Sequence, residues 1–365
     1  MTGLLSPGSV LHDRYRIEEL VGAGGGGAVY RAADLRLAGR FTAVKEIRPD
    51  AAASAALRAD AREQFRREAT TLARLDHPAL PKVSDYFDVD DTDYLVMDFV
   101  AGPDLRQVAA EARSNGVFLP EERVLDWMLQ LLDAVAYLHD QDPIVLHRDI
   151  KPANIKLMER DRIKLVDFGL VKPLDPTDPR TLTMARGIGS LPYTPLEQYA
   201  GDTGHTDPRS DLYGVGATLY HLLTGMMPAT AQERFLSPAA LVRPRRLNPE
   251  LSALVEGAIL AAMALHPDRR PAGARQLADQ LRGRAPLPRV GADVVLPEGQ
   301  PAPRGSGRWS SGLAENGGLL ALVAFLLVLA VLATWQSQHG AREPATAVNG
   351  TATAVSGSRS GEPGP

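Results

Sequence analysis

The chain has 365 residues, 44% of them hydrophobic and 23% charged, an ordinary globular composition with room for two compact domains or one large two-lobed domain. A net charge of −4 gives no reason to expect nucleic acid as a partner. With no cysteine, disulfides, Fe–S clusters and thiolate zinc sites are excluded. The residues Met1 to Val10 have neither a charged start nor an apolar run, so no signal peptide is expected. Six lysines (45, 82, 151, 156, 164 and 172) stand against 34 arginines. In so Arg-rich a chain each surviving lysine invites a reason, because an ammonium fits against a phosphate where a guanidinium fork does not.

From Tyr15 to about Val100 the pattern is one of short strands with a single helix. Gly22-Ala23-Gly24-Gly25-Gly26-Gly27 leads into the strand-like Ala28-Val29-Tyr30. Glycines at 22, 24 and 27 let a backbone without Cβ atoms lie over phosphates and donate N–H groups to them. A dinucleotide-binding reading needs a helix directly after the glycines. A strand there suits a hairpin lid instead. The next run, Phe41-Thr42-Ala43-Val44, ends in Lys45. A helix is expected from about Asp60 to Leu75, after an Ala-rich stretch, with Phe65, Ala69 and Leu72 as its apolar stripe. Glu68 lies on that stripe, where a carboxylate needs a cation, and Lys45 is the lysine upstream of it. A Lys45–Glu68 pair is therefore expected. Tyr94-Leu95-Val96-Met97 closes the strand-rich region.

Beyond Asp104 the periodicity becomes helical, most clearly at Glu121–His139, with further helices expected near Asp211–Leu223 and Ala272–Leu281. Between them lie His147-Arg148-Asp149-Ile150-Lys151-Pro152-Ala153-Asn154 and Asp167-Phe168-Gly169. Any one of these polar residues alone reads as a solvated loop side chain. Together, Asp149, Asn154 and Asp167 supply oxygens and Lys151 a cation, which is what phosphoryl transfer requires.

The texture changes again after residue 284. A Pro/Gly-rich segment over 284–316 reads as a disordered linker. Gly317 to Trp335 is a run of nineteen uncharged residues, eleven of them Leu, Val or Phe. Those eleven favour insertion into a bilayer by roughly −3 to −6 kcal/mol, and nineteen helical residues rise about 28 Å, near the hydrocarbon thickness. A transmembrane helix is expected at 317–335, followed by a short low-complexity tail over 336–365. Arg304 and Arg308 before the span, against Arg342 after it, lean toward an N-terminal side that is inside.

These motifs, in this order, resemble the bacterial Hanks-type (eukaryotic-like) Ser/Thr protein kinases over about 270 residues. The resemblance implies an α+β bilobal fold over residues 10–283, with a small β-rich lobe to about residue 100 and a larger helical lobe from 101. It implies ATP with Mg²⁺ (or Mn²⁺) and transfer to Ser/Thr of proteins, including the chain itself. Gly22, Ala23, Gly24, Gly27, Val29 and Ala43 would enclose the nucleotide, and Lys45, paired with Glu68, would hold its phosphates. Met97 matches the gatekeeper, and backbone groups of Asp98 and Val100 would hold adenine. Asp149 would orient the acceptor hydroxyl, Lys151 would contact the γ-phosphate, and Asn154 and Asp167 would bind the metal. Asp211 matches the buried brace of the catalytic loop, Glu197 and Arg270 the anchor of the activation segment, and Ser190 the docking-loop partner of Asp149. Lys151 also marks a Ser/Thr rather than a tyrosine enzyme. Arg148 before the catalytic Asp implies control by phosphorylation, with Thr177, Thr181 and Thr183 as acceptors and the last two favoured. Because ATP is cytoplasmic, the kinase domain would face the cytoplasm as a single-pass membrane protein, with the bilayer as a partner and a homodimer as another.

Departures from the family pattern are Gly26 at the lid tip, where an aromatic is usual, and Leu191-Pro192 and Leu196 in the docking region. A pseudokinase scaffold would lack one of Lys45, Asp149, Asn154 or Asp167, and all four are present. A small-molecule kinase would lack the long activation segment and the Glu197–Arg270 anchor, and the short tail argues against a ligand receptor.

Overall fold

A computed structural model describes residues 4–24, 27–48, 54–167, 188–199 and 207–287. The chain divides into Met1–Leu296 and Pro297–Pro365, and all of the described residues lie in the first unit. No helix among them is long and apolar enough to cross a membrane, and the segment 317–335 lies outside them.

The N-terminal lobe is a six-stranded antiparallel sheet. Its strands are β1 (Val10–Leu11), β2 (Tyr15–Gly24), β3 (Gly27–Asp34), β4 (Phe41–Ile47), β5 (Val83–Val89) and β6 (Thr92–Asp98), in spatial order β1-β2-β3-β4-β6-β5. Period-two alternation gives the sheet two different faces. Tyr15, Ile17, Tyr30, Val44, Phe87 and Val96 pack on one. Ala43 and Ile47, of opposite parity to Val44, join Leu95 and Met97 in the other core, with Phe65, Ala69 and Leu72 of helix α1 (Ala55–Ala73). Burying Phe65 and Leu72 stabilises that docking by roughly 1.5–3 kcal/mol each. Lys45 has the parity of Ala43 and stands opposite Leu95 and Val29 in the ladder. Helix α1 begins at Ala55, five residues before the expected start, because alanine forms helix without an apolar stripe to announce it.

The C-terminal lobe is built on α2 (Leu105–Ser114), α3 (Glu121–His139) and a two-stranded ribbon, β7 (Ile155–Leu157) with β8 (Ile163–Leu165). Helices α4 (Pro208–Thr224), α5 (Ala231–Leu236), α6 (Pro244–Leu247), α7 (Ala253–Ala262) and α8 (Ala274–Leu281) complete it. Helix α3 buries Trp127, Met128, Leu131 and Leu132, and α4 is buried along almost its whole length. The ribbon positions the site: Asn154 immediately precedes β7 and Asp167 follows β8 by two residues. Its turn is held to α3 through Asp161, which accepts from Arg123 at 2.8 Å and from Trp127 Nε1 at 3.3 Å.

Candidate active site

The glycine-rich segment is a hairpin. Gly22 pairs with Val29, Ala23 with Ala28 and Gly24 with Gly27, while Gly25 and Gly26 lie outside the described residues. Gly27 has φ +138°, and a Cβ there would stand 1.8 Å from the Glu46 carbonyl oxygen, so the lid strand can cross β4 only without a side chain at this point. Below the hairpin, Lys45 Nζ bonds the Asp167 carboxylate. Glu68 is half-buried on α1, between the buried Phe65, Ala69 and Leu72. Burial opposes ionisation of Asp167, but Lys45, with His147 and Lys151 nearby, holds its pKa below the ordinary carboxylate value.

At the junction of the lobes, Met97 and Val100 are buried and Asp98 is half-buried. The backbone N–H of Asp98 donates to the Lys82 carbonyl at 2.9 Å, so of its two backbone groups only the C=O can serve adenine. Its carboxylate meets Arg40 at 3.1 Å.

The catalytic loop hangs from a buried carboxylate. Asp211 accepts from the backbone N–H of His147 at 3.0 Å, from that of Arg148 at 2.7 Å and from His139 Nε2 at 2.9 Å. Burial opposes its charge, but these donors hold its pKa low. Arg148 sits at φ +64°, a left-handed conformation that costs a non-glycine residue about 1–3 kcal/mol and that Asp211 helps to enforce. His147 is fully buried and its pKa is lowered by that burial. Its ring donates from Nε2 to the Val166 carbonyl at 3.3 Å and accepts at Nδ1 from the Asp149 N–H at 3.4 Å, as a neutral imidazole does.

Around Asp149 the parts converge. Oδ2 of Asp149 accepts from Lys151 Nζ at 2.8 Å and from Asn154 Nδ2 at 3.0 Å. Lys151 Nζ also donates to Ser190 Oγ at 2.6 Å, which ties the acceptor site to the docking segment. With Nδ2 committed to Asp149, Asn154 presents Oδ1, and a carboxamide oxygen with the Asp167 carboxylate is a donor pair that fits Mg²⁺. Further out, Arg270 forks onto Glu197 with contacts of 2.5 and 3.0 Å, and Ser210 Oγ adds a third bond at 2.7 Å. Burial works against the Glu197 charge, and Arg270 outweighs it.

The structure therefore brings Lys45 to Asp167, Lys151 and Asn154 to Asp149, Ser190 to Lys151 rather than directly to Asp149, and Glu197 to Arg270. Phe168, Gly169, Thr177, Thr181 and Thr183 lie outside the described residues. Sequence reasoning missed His139 and the hydrogen bond of 2.6 Å between Tyr193 and His221. Neither histidine carries a local signal, since each meets a partner from a distant segment.

A family model described as the protein kinase domain matches residues 15–292. A probable serine/threonine-protein kinase of Streptomyces coelicolor is 35% identical over 281 residues, covering 74% of this chain and 39% of the relative. The serine/threonine-protein kinase PknB of Mycolicibacterium smegmatis is 32% identical over 357 residues, covering 89% and 54%. The chain thus spans about half the length, or less, of these curated relatives. Among solved structures, the PknI kinase domain of Mycobacterium tuberculosis superposes with a TM-score of 0.59 at 29% identity, over 77% of this chain and 100% of that one. The apo form of PpkA-294 superposes with a TM-score of 0.63 at 26% identity, over 76% of this chain and 99% of that one.

Proposed function

Since the chain belongs to the protein kinase domain family, we propose that it transfers the γ-phosphoryl group of ATP to serine and threonine hydroxyls of proteins, itself included. The observation that carries this reading is Lys151, whose ammonium bridges Asp149 and Ser190. An acceptor hydroxyl beside Asp149 would find a carboxylate oxygen to orient its proton and a cation for the incoming phosphoryl group. Lys45, held on the cleft side of β4, holds the nucleotide phosphates, with Glu68 as its partner. Gly22 to Gly27 cover the phosphates, and the Asp98 carbonyl and Val100 receive adenine. Asn154 and Asp167 would hold Mg²⁺, which supplies charge neutralisation at the phosphates. Asp211 and His147 keep the loop geometry without touching substrate. Thr181 and Thr183 are the regulatory acceptors, and Arg148 receives the phosphate. Residues 317–335 anchor the enzyme in the cell membrane with the kinase domain on the cytoplasmic side, and pairing of two chains aids phosphorylation of one by the other.

The test is transfer of γ-labelled phosphate by the full-length chain, beside Asp149→Asn and Lys45→Met. Label on Ser or Thr of the wild type, reduced at least about 100-fold in both variants, is the expected result. An unlabelled wild type that also leaves a generic protein substrate untouched would replace the enzyme with a scaffold. The anchor is tested by flotation with lipid vesicles: the full chain should float and a chain ending at residue 287 should not.

A further inference from the structure

The contacts that begin at Asp149 lead to a basic face of α2. Lys151 links Asp149 to Ser190, and three residues further along the docking segment the Tyr193 hydroxyl donates to His221 Nδ1 at 2.6 Å. His221 lies on α4, one turn before Gly225, whose N–H bonds the His221 carbonyl at 2.9 Å. The Gly225 carbonyl in turn accepts from Arg113 Nη1 at 3.2 Å. Arg113 and Arg106 are seven residues apart on α2 and so share one side of it. Both are exposed, and both bear electrostatically on the docking pair, Arg113 on His221 and Arg106 on Tyr193.

Among the described residues, Asp104 and Glu233 are acids engaged at helix starts. Asp104 caps α2, accepting from the Gln107 N–H at 2.9 Å, and lies 3.7 Å from Arg106. Glu233 closes the capping box of α5, accepting from the Thr230 N–H at 2.8 Å. Their charge is offset by the helix N-termini they cap. Glu111, the remaining acid of α2, is about 200° round the helix from Arg113. Among the described residues no carboxylate lies within ion-pair distance of Arg113. His221, where the docking segment meets α4, is neutral, because burial and Arg113 push its pKa down to about 4. Among the described residues, this side of α2 sets the two guanidiniums of Arg106 and Arg113 against the single capping carboxylate of Asp104.

We infer that Arg106 and Arg113 select protein segments carrying acidic residues beside the acceptor Ser or Thr, a refinement that rests on the kinase reading above. An exposed charge pair contributes modestly, so two arginines acting on two acidic side chains should give about tenfold discrimination between acidic and basic flanks. The contribution is screened by salt, since the Debye length is about 10 Å at 0.1 M ionic strength.

The experiment uses the full-length chain with three Thr-acceptor peptides whose flanks are acidic, neutral or basic, at low and high salt. The expected result is about tenfold higher kcat/KM for the acidic over the basic peptide, lying mostly in KM and shrinking at high salt. Arg113→Glu and Arg106→Glu should each erase or invert the preference, and Arg113→Lys should retain it. A wild type that phosphorylates the neutral peptide yet favours basic flanks, or shows no preference, overturns the inference while leaving the kinase reading intact. Should no peptide be phosphorylated, the kinase reading falls, and fluorescence anisotropy with labelled peptides still decides the surface. Tighter binding of the acidic peptide, weakened by Arg113→Glu, supports it, and equal binding of acidic and basic peptides overturns it.

Discussion

At position 270 a guanidinium with no exposed surface uses every N–H it has. Two go to Glu197, and the Ala264, Leu265 and Arg209 carbonyls take the others at 2.8, 3.0 and 3.1 Å. A buried pair satisfied in this way tolerates the loss of both partners better than the loss of one. Arg270→Ala should lower stability by about 3–5 kcal/mol, read as a shift in the urea midpoint, because Glu197 would stay buried with no cation beside it and only Ser210 and its own backbone N–H to satisfy its charge. A loss under about 1 kcal/mol would mean that water reaches Glu197 and that the anchor is weaker than its geometry. Glu197 and Arg270 were legible through a family resemblance, whereas Lys45, Asp149, Lys151, Asn154 and Asp167 were legible as chemistry, because short motifs hold them at meaningful spacings. His139 and His221 were not, since their partners lie 72 and 28 positions away and nothing local distinguishes either from a core histidine.

Among the helices, α4 carries the most of the site. It presents Asp211 to the catalytic loop and His221 to the docking segment, and its glycines let neighbours approach. A Cβ at Gly214 would stand 2.9 Å from the Ile150 carbonyl oxygen, on the residue between Asp149 and Lys151. Gly214→Ala should therefore push the catalytic loop outward by a fraction of an ångström. Phosphoryl transfer is sensitive to such displacement, and a fall of about 10- to 100-fold in kcat is expected, with KM for ATP and the circular dichroism spectrum nearly unchanged. Loss of helical signal would instead place the damage in folding, and unchanged kcat would show that the loop has room to move. Elements with a clean period were the readable ones. Helix α3 begins and ends where its apolar stripe predicts, at Glu121 and His139. Helix α7, Ala-Leu-Val-Glu-Gly-Ala-Ile-Leu-Ala-Ala, is apolar almost all round, so it has no stripe to detect. Of the β7–β8 ribbon, Ile163-Lys164-Leu165 reads as a strand before Asp167, whereas the three residues of β7 are too few to show a period.

Over the whole molecule, two lobes were legible as a change from period two to period 3.6, but their arrangement around a cleft came from the resemblance, because no local pattern encodes which faces meet. The same long-range burial sets the response to acid. His147 and His221 are both held neutral in the folded chain, with pKa values lowered from 6.5 by burial, that of His221 to about 4. Unfolded, each would take up a proton near pH 6.5, so below that pH the unfolded chain binds more protons than the folded one. Stability is then fully present above about pH 6.5 and declines as pH falls. The decline approaches about 1.4 kcal/mol per pH unit for each histidine. For His221 it levels off near pH 4, after a total of up to about 3 kcal/mol, reduced by whatever solvent screens its half-buried edge. Asp211 and Glu197, whose folded pKa values are lowered, add the same sign of loss only as pH falls below the ordinary carboxylate range. Urea unfolding between pH 7.5 and 4.5 should therefore show a midpoint that starts to drop near pH 6.5, well above any carboxylate. His221→Asn, which removes one of the two titrations, should roughly halve the slope at the cost of some stability at pH 7.5 from the altered bond to Tyr193. A midpoint flat down to pH 5 would mean that both histidines can be protonated in place, with His221 then donating to the Tyr193 hydroxyl oxygen instead of accepting from it.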